Sequence, residues 1–181
     1  ALYYYTAGAG TGLYTLLQYP LAKTEKEYKV PDAVSMTLTD IGKGAFWGSE
    51  SLETITLPDT VNTVGDNAFT ACRKLKTVTL PSGLKTIGTE AFRGDALLDN
   101  VTLPDGVTVI NNGTFQGCES LKTLKLSDEL KIIGNRAFQG CKALTEFTVP
   151  ASVTTLGDSA FAQCEALRQI TIPMRTTSIG S

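Results

Sequence analysis

The chain contains no histidine. Ser/His and Cys/His nucleophilic pairs, the usual zinc ligand sets and the side chain best suited to proton transfer near neutral pH are excluded with it. Charge imbalance is missing too: 16 basic and 18 acidic residues leave a formal charge of -2 with no run of one sign. Neither nucleic acid nor an anionic membrane surface has an electrostatic footprint to bind. Apolar runs fall short of the roughly 18 residues a membrane-crossing helix needs, so direct membrane insertion of this segment is not expected. No basic-then-apolar leader opens the sequence. Carboxylate pairs, phosphate-cradling glycine loops and calcium loops of the required spacing are also lacking, so no catalytic residue, cofactor or metal is expected. What is present is 181 residues at 42% hydrophobic content, enough to bury a substantial core.

That core is written as an internal repeat. Phe46, Phe69, Phe92, Phe115, Phe138 and Phe161 recur every 23 residues, and all but Phe115 follow an alanine. Six residues after each comes a leucine: Leu52, Leu75, Leu98, Leu121, Leu144 and Leu167. Two further apolar columns follow, Ile55, Val78, Val101, Leu124, Phe147 and Ile170, then Leu57, Leu80, Leu103, Leu126, Val149 and Ile172. Their alternation with polar residues predicts a short half-buried strand. Proline closes that strand in five of six copies, with Ser127 the exception, as suits a residue that donates no N–H. Each repeat is too small to bury its own apolar edge, so the stack as a whole must supply the core.

The remaining columns predict the rest of the coil. Val61 and Val64 with their equivalents form an inward-pointing return segment. Gly65, Gly88, Asn111, Gly134, Gly157 and Gly180 suggest a left-handed turn, since glycine and asparagine tolerate positive φ best. Asp66, Thr89, Asn112, Asn135 and Asp158 then suit the cap of a helix. A short helix or 3₁₀ turn carrying the Ala-Phe pair is expected to follow, held by the phenylalanine plugged between coils.

The run Val64-Gly65-Asp-Asn-Ala68-Phe69-Thr-Ala-Cys72-Arg-Lys-Leu75-Lys-Thr-Val78-Thr-Leu80-Pro81 resembles the BspA-like class of leucine-rich repeats. The resemblance covers about residues 41 to 181. It implies an α/β repeat: a right-handed leucine-rich-repeat solenoid with short parallel strands on one face, short helical or 3₁₀ turns opposite and a β-rich N-terminal cap. It further implies a bacterial surface or secreted protein that binds other proteins, such as host extracellular-matrix or cell-surface proteins. Residues 1–40 read as the cap and an irregular first coil, and residues 41–181 as about six repeats that are expected to continue further. Tyr3, Tyr4, Tyr5, Tyr14, Tyr19 and Tyr28 belong to the cap. Pro31 to Pro58 is 27 residues, four over the period, which places an insertion near Ser35 to Leu38.

Candidate contact residues are those left without a structural job. The outward strand positions form two columns: Thr54, Thr77, Asn100, Thr123, Glu146 and Gln169, and Thr56, Thr79, Thr102, Lys125, Thr148 and Thr171. They pave the sheet face that solenoids use for binding, although threonine also suits a solvated strand without any ligand. Trp47, the one tryptophan, fits best packed beneath the insertion or cap; an exposed aromatic contact is the alternative. Cys72, Cys118, Cys141 and Cys164 share a column with Ser49 and Asp95. That pattern favours a small side chain bonding the turn backbone over a disulfide or a metal site.

Overall fold

A computed structural model describes residues 13–20, 23–30 and 37–181. The tyrosines before residue 13, and Ser35 and Met36 of the expected insertion, lie outside these residues. The described chain winds as a right-handed parallel β-solenoid of about seven turns. Strands alternate between two sides of the coil. One side carries β2 (Glu27–Lys29), β4 (Thr54–Thr56), β6 (Thr77–Thr79), β8 (Asn100–Thr102), β10 (Thr123–Lys125), β12 (Glu146–Thr148) and β14 (Gln169–Thr171). The other carries β1 (Leu13–Leu16), β3 (Thr37–Ile41), β5 (Thr63–Val64), β7 (Thr86–Ile87), β9 (Val109–Ile110), β11 (Ile132–Ile133), β13 (Thr155–Leu156) and β15 (Ser178–Ile179). This second ladder corresponds to the return segment, whose apolar residues sit three apart in Val61 and Val64 and so show no period-2 alternation.

The third side holds no helix among the described residues, so the expected helical or 3₁₀ turn, and with it the α/β label, is corrected to hydrogen-bonded turns. Two columns break any helical run. Positions 44, 67, 90, 113, 136 and 159 and positions 48, 71, 94, 117, 140 and 163 all take positive φ, from 54° at Ser159 to 77° at Gly94. Two left-handed residues four positions apart in each turn cannot propagate a right-handed helix. Turn amides instead divide their bonds: Cys72 N donates to Phe69 O within the coil (3.1 Å), while Phe69 N donates to Ala91 O of the next coil (2.8 Å).

The Gly65 column is therefore not the left-handed one. Its glycines are required by close approach: a Cβ on Gly88 would lie 2.4 Å from Asp66 N and one on Gly65 2.8 Å from Lys43 N. Gly65, Gly134 and Gly157 use that proximity to donate N–H to Ile41 O, Ile110 O and Ile133 O at 2.7–2.8 Å. Asn111 occupies the same column with a side chain, and its Nδ2 donates to Ile87 O at 2.6 Å. At that coil boundary the second ladder parts, because β7 and β9 belong to separate sheets. The supposed cap residues also bond forward: Asp66 Oδ1 accepts from Thr89 N, Asn112 Oδ1 from Asn135 N and Asn135 Oδ1 from Asp158 N, each at 2.8 Å.

The core is a column of aromatic rings. Phe46, Phe69, Phe92, Phe115 and Phe138 are fully buried and stack with centroids 5.0–5.6 Å apart at interplanar angles of 2–12°. Truncating a ring so enclosed typically costs about 3–5 kcal/mol through the cavity it leaves. Tyr19 continues the column, 5.1 Å from Phe46, and its N–H donates to Ala45 O as the plugs from Phe46 to Phe138 donate to the coil that follows. Strand partners 27 residues apart at Tyr28 and Ile55 become partners 23 apart at Ile41 and Val64, so the four extra residues fall between those two places.

Candidate functional site

Within each sheet the strand columns make one outward surface because the paired parallel strands share one register. Thr54 pairs with Thr77 and Thr56 with Thr79; Thr77 pairs with Asn100. Asn100 pairs with Thr123 and Thr102 with Lys125; Glu146 pairs with Gln169 and Thr148 with Thr171. Ten of the twelve predicted positions are exposed, while Thr54 and Thr56 are half-buried. The face also extends one strand further than the predicted columns, to the exposed Glu27 and Lys29, which pair with Thr54 and Thr56. Their signal was available in the alternating Glu27-Tyr28-Lys29-Val30-Pro31, offset from the period by the four extra residues. Neighbouring side chains bond along the columns, as Thr123 Oγ1 does to Asn100 Oδ1. Just before the strands, Lys76 and Lys26 bracket Glu53 at 2.8 and 3.1 Å and hold its carboxyl below the usual carboxylate range.

The surface is interrupted once. β10 ends one sheet and β12 begins another, and among the described residues no main-chain bond joins the two strands. A cleft of about 540 Å³ opens there, with Leu124, Leu126, Leu144 and Phe147 among its apolar lining and Thr123, Glu146 and Thr148 among its polar lining. Two sequence departures coincide with it. Phe147 is the one aromatic among the six repeat positions of its column, Tyr28 of β2 being the other where the column extends to that strand, and its ring packs inward against Phe138 and Phe161, with centroids 5.0 and 4.7 Å away. Ser127 replaces the strand-ending proline, donating to Asp105 O and accepting from Glu129 N. Leu124 is left half-exposed, whereas Ile55, Val78 and Val101 of the same column are buried.

Trp47 is 60% exposed, beside Gly44, so packing beneath the insertion or cap is not where this side chain goes. It lies on the turn side, away from the sheet face. The cysteine column is structural: the thiols of Cys72, Cys118, Cys141 and Cys164 donate to the carbonyls of Phe46, Phe92, Phe115 and Phe138 at 3.1–3.3 Å. Burial pushes all four thiols up, which keeps them protonated and poorly nucleophilic at neutral pH. No group of three or more potential metal-ligating side chains occurs among the described residues.

Residues 33–112 and 85–181 match the BspA type leucine rich repeat region, in six copies. No curated protein matches the sequence. Among solved structures, a leucine rich cell surface protein from Faecalibacterium prausnitzii is 32% identical, with a TM-score of 0.68 over 97% of this chain and 54% of that one. A leucine-rich repeat protein from Eubacterium ventriosum is 27% identical, with a TM-score of 0.73 over 88% of this chain and 48% of its own. The chain thus spans about half the length of these two proteins. A T. pallidum leucine-rich repeat protein, 23% identical over 92% of this chain and 88% of its own, shares the fold with a TM-score of 0.71.

Proposed function

Because the chain belongs to the BspA-type leucine-rich repeat family, we propose that it is the protein-binding module of an extracellular or cell-surface bacterial protein and engages its partner through the outward face of β2 to β14. The observation that carries this reading is the set of two in-register columns of exposed side chains, which the core and the turns do not use. Charges on the face are sparse and mixed, Glu27 and Lys29 at one end and Lys125 and Glu146 toward the other. A protein surface of mixed polarity suits it better than a polyanion. The partner is a host extracellular-matrix or cell-surface protein, the class the family resemblance implies, and the cell-surface description of the F. prausnitzii protein supports the location.

The test substitutes Thr77→Glu and Thr102→Glu together, since both side chains are exposed and neither lines the cleft. Adhesion of the protein to immobilised matrix proteins and cultured epithelial cells is expected to fall about tenfold, as two buried unpaired carboxylates in an interface would demand. Undiminished adhesion by the folded double variant would instead identify the segment as a spacer that displays another part of the protein.

A further inference from the structure

The interruption between β10 and β12 leaves two strand edges facing a common opening. At the boundaries on either side the main chain is paired: Thr123 N donates to Asp99 O and Leu103 N to Lys125 O before it, and Arg168 N to Thr145 O and Val149 N to Thr171 O after it. No equivalent bond spans the opening among the described residues, although the coils remain stacked at Phe115 and Phe138. Unpaired strand edges are templates for another extended main chain, and half-exposed Leu124 and Leu126 offer an apolar floor to its inward side chain. We infer that the cleft between β10 and β12 takes an extended segment of a partner polypeptide, which pairs in parallel with the exposed edges and seats one apolar side chain against Leu124, Leu126 and Phe147. This deepens the reading of the sheet face as a protein-binding surface and rests on it. The occupant is main chain because the groups left open are backbone donors and acceptors that alternate as in the flanking ladders. Phe147 beneath β12 presents an aromatic ring at the opening, where the coils of β4, β6, β8, β10 and β14 have an aliphatic residue; Tyr28 beneath β2 is the other aromatic of the column.

The probe is a capped synthetic peptide copying residues 98–104, a strand whose main chain pairs on both sides in its own place in the ladder, with β6 and with β10. It is expected to bind saturably and to slow amide exchange in both 123–126 and 145–148. N-methylation at its Val101 and Leu103 positions is expected to weaken binding by about tenfold or more, the equivalent of one lost ladder hydrogen bond or two. Phe147→Ile removes the ring that seats the apolar side chain and weakens binding; Leu126→Glu, which charges the floor without emptying the core, gives an independent loss. Equal binding of the methylated peptide, undiminished binding by either folded variant, or wild-type amides in 145–148 as slow as those in 100–102 would overturn the inference. Thr77→Glu with Thr102→Glu leaves the peptide bound, so failure of the adhesion reading and failure of this one are told apart.

Discussion

Asp95 is the residue whose chemistry departs furthest from its surroundings. It occupies the cysteine column, fully buried, between Cys72 of the preceding coil and Cys118 of the next. Its Oδ1 accepts from Cys72 N at 2.8 Å, but its Oδ2 has no partner. Burial pushes the carboxyl well above the usual carboxylate range, opposed only by the Cys72 amide. The neighbouring thiols are themselves pushed up and stay neutral, so no positive charge faces Asp95 to favour ionisation. An acid whose folded pKa is raised binds its proton more tightly in the fold than in the unfolded chain. Its contribution is therefore most favourable below the unfolded carboxylate value of about 3.9 and is lost as pH rises from there through the folded value. Asp95→Cys supplies the thiol of the other coils, placed to donate to Phe69 O as Cys118 donates to Phe92 O. We expect the variant to melt above the parent at pH 7, with about 2–4 °C for each kcal/mol recovered, and the gap to narrow toward pH 4. A gap independent of pH would show that Asp95 is not held as the neutral acid.

At the scale of the element, the turn side carries strain that the strands do not. Position 71 is left-handed at φ 63°, in a column where Gly48, Gly94, Gly117 and Gly140 take the same conformation without a Cβ. Ala71→Gly is expected to stabilise the protein by about 1 kcal/mol, the left-handed penalty less the entropy glycine loses on folding; a lower denaturation midpoint in urea would contradict it. The strands themselves were plain in the sequence, since Ile55 and Leu57 alternate with Thr54 and Thr56 and a proline follows. The turn was not, because its left-handed sites hold Asn67, Glu90, Arg136 and Ser159 as well as glycine, and a backbone held by next-coil carbonyls tolerates residues that local preference disfavours. Glycine at position 65 and its equivalents signalled a special site correctly but for another reason, contact with the coil before. Side chains at 66, 112 and 135 mimic caps in type while bonding along the stack, a relation that a single repeat read alone does not contain.

For the whole molecule, period and register are legible because every coil must repeat the same inward residues, and the outward face follows from them by alternation. Interruptions of the stack are not legible in the same way: they depend on how one coil's substitution meets its neighbour, as Phe147 meets Phe138 and Phe161. Each of the two breaks removes one ladder while the stacked phenylalanine rings continue, so the coils between β9 and β11 are joined to each flank by a partial interface. In a solenoid, stability sums over such interfaces. Asn111 provides the means to test one. Glycine there removes the Cβ that keeps the chain from approaching Ile87, exchanges the Nδ2 bond for a main-chain bond of the kind Gly134 makes to Ile110 O, and allows β9 to pair with β7. Two regained ladder bonds at about 1 kcal/mol each exceed the roughly 0.5–1 kcal/mol of added backbone entropy. Asn111→Gly is therefore expected to be neutral to stabilising by about 1 kcal/mol and to slow amide exchange across 108–110, an effect that Gly88→Asn, made one coil earlier, should reverse there. Unchanged exchange at those amides would mean that asparagine accompanies the break in the ladder without causing it.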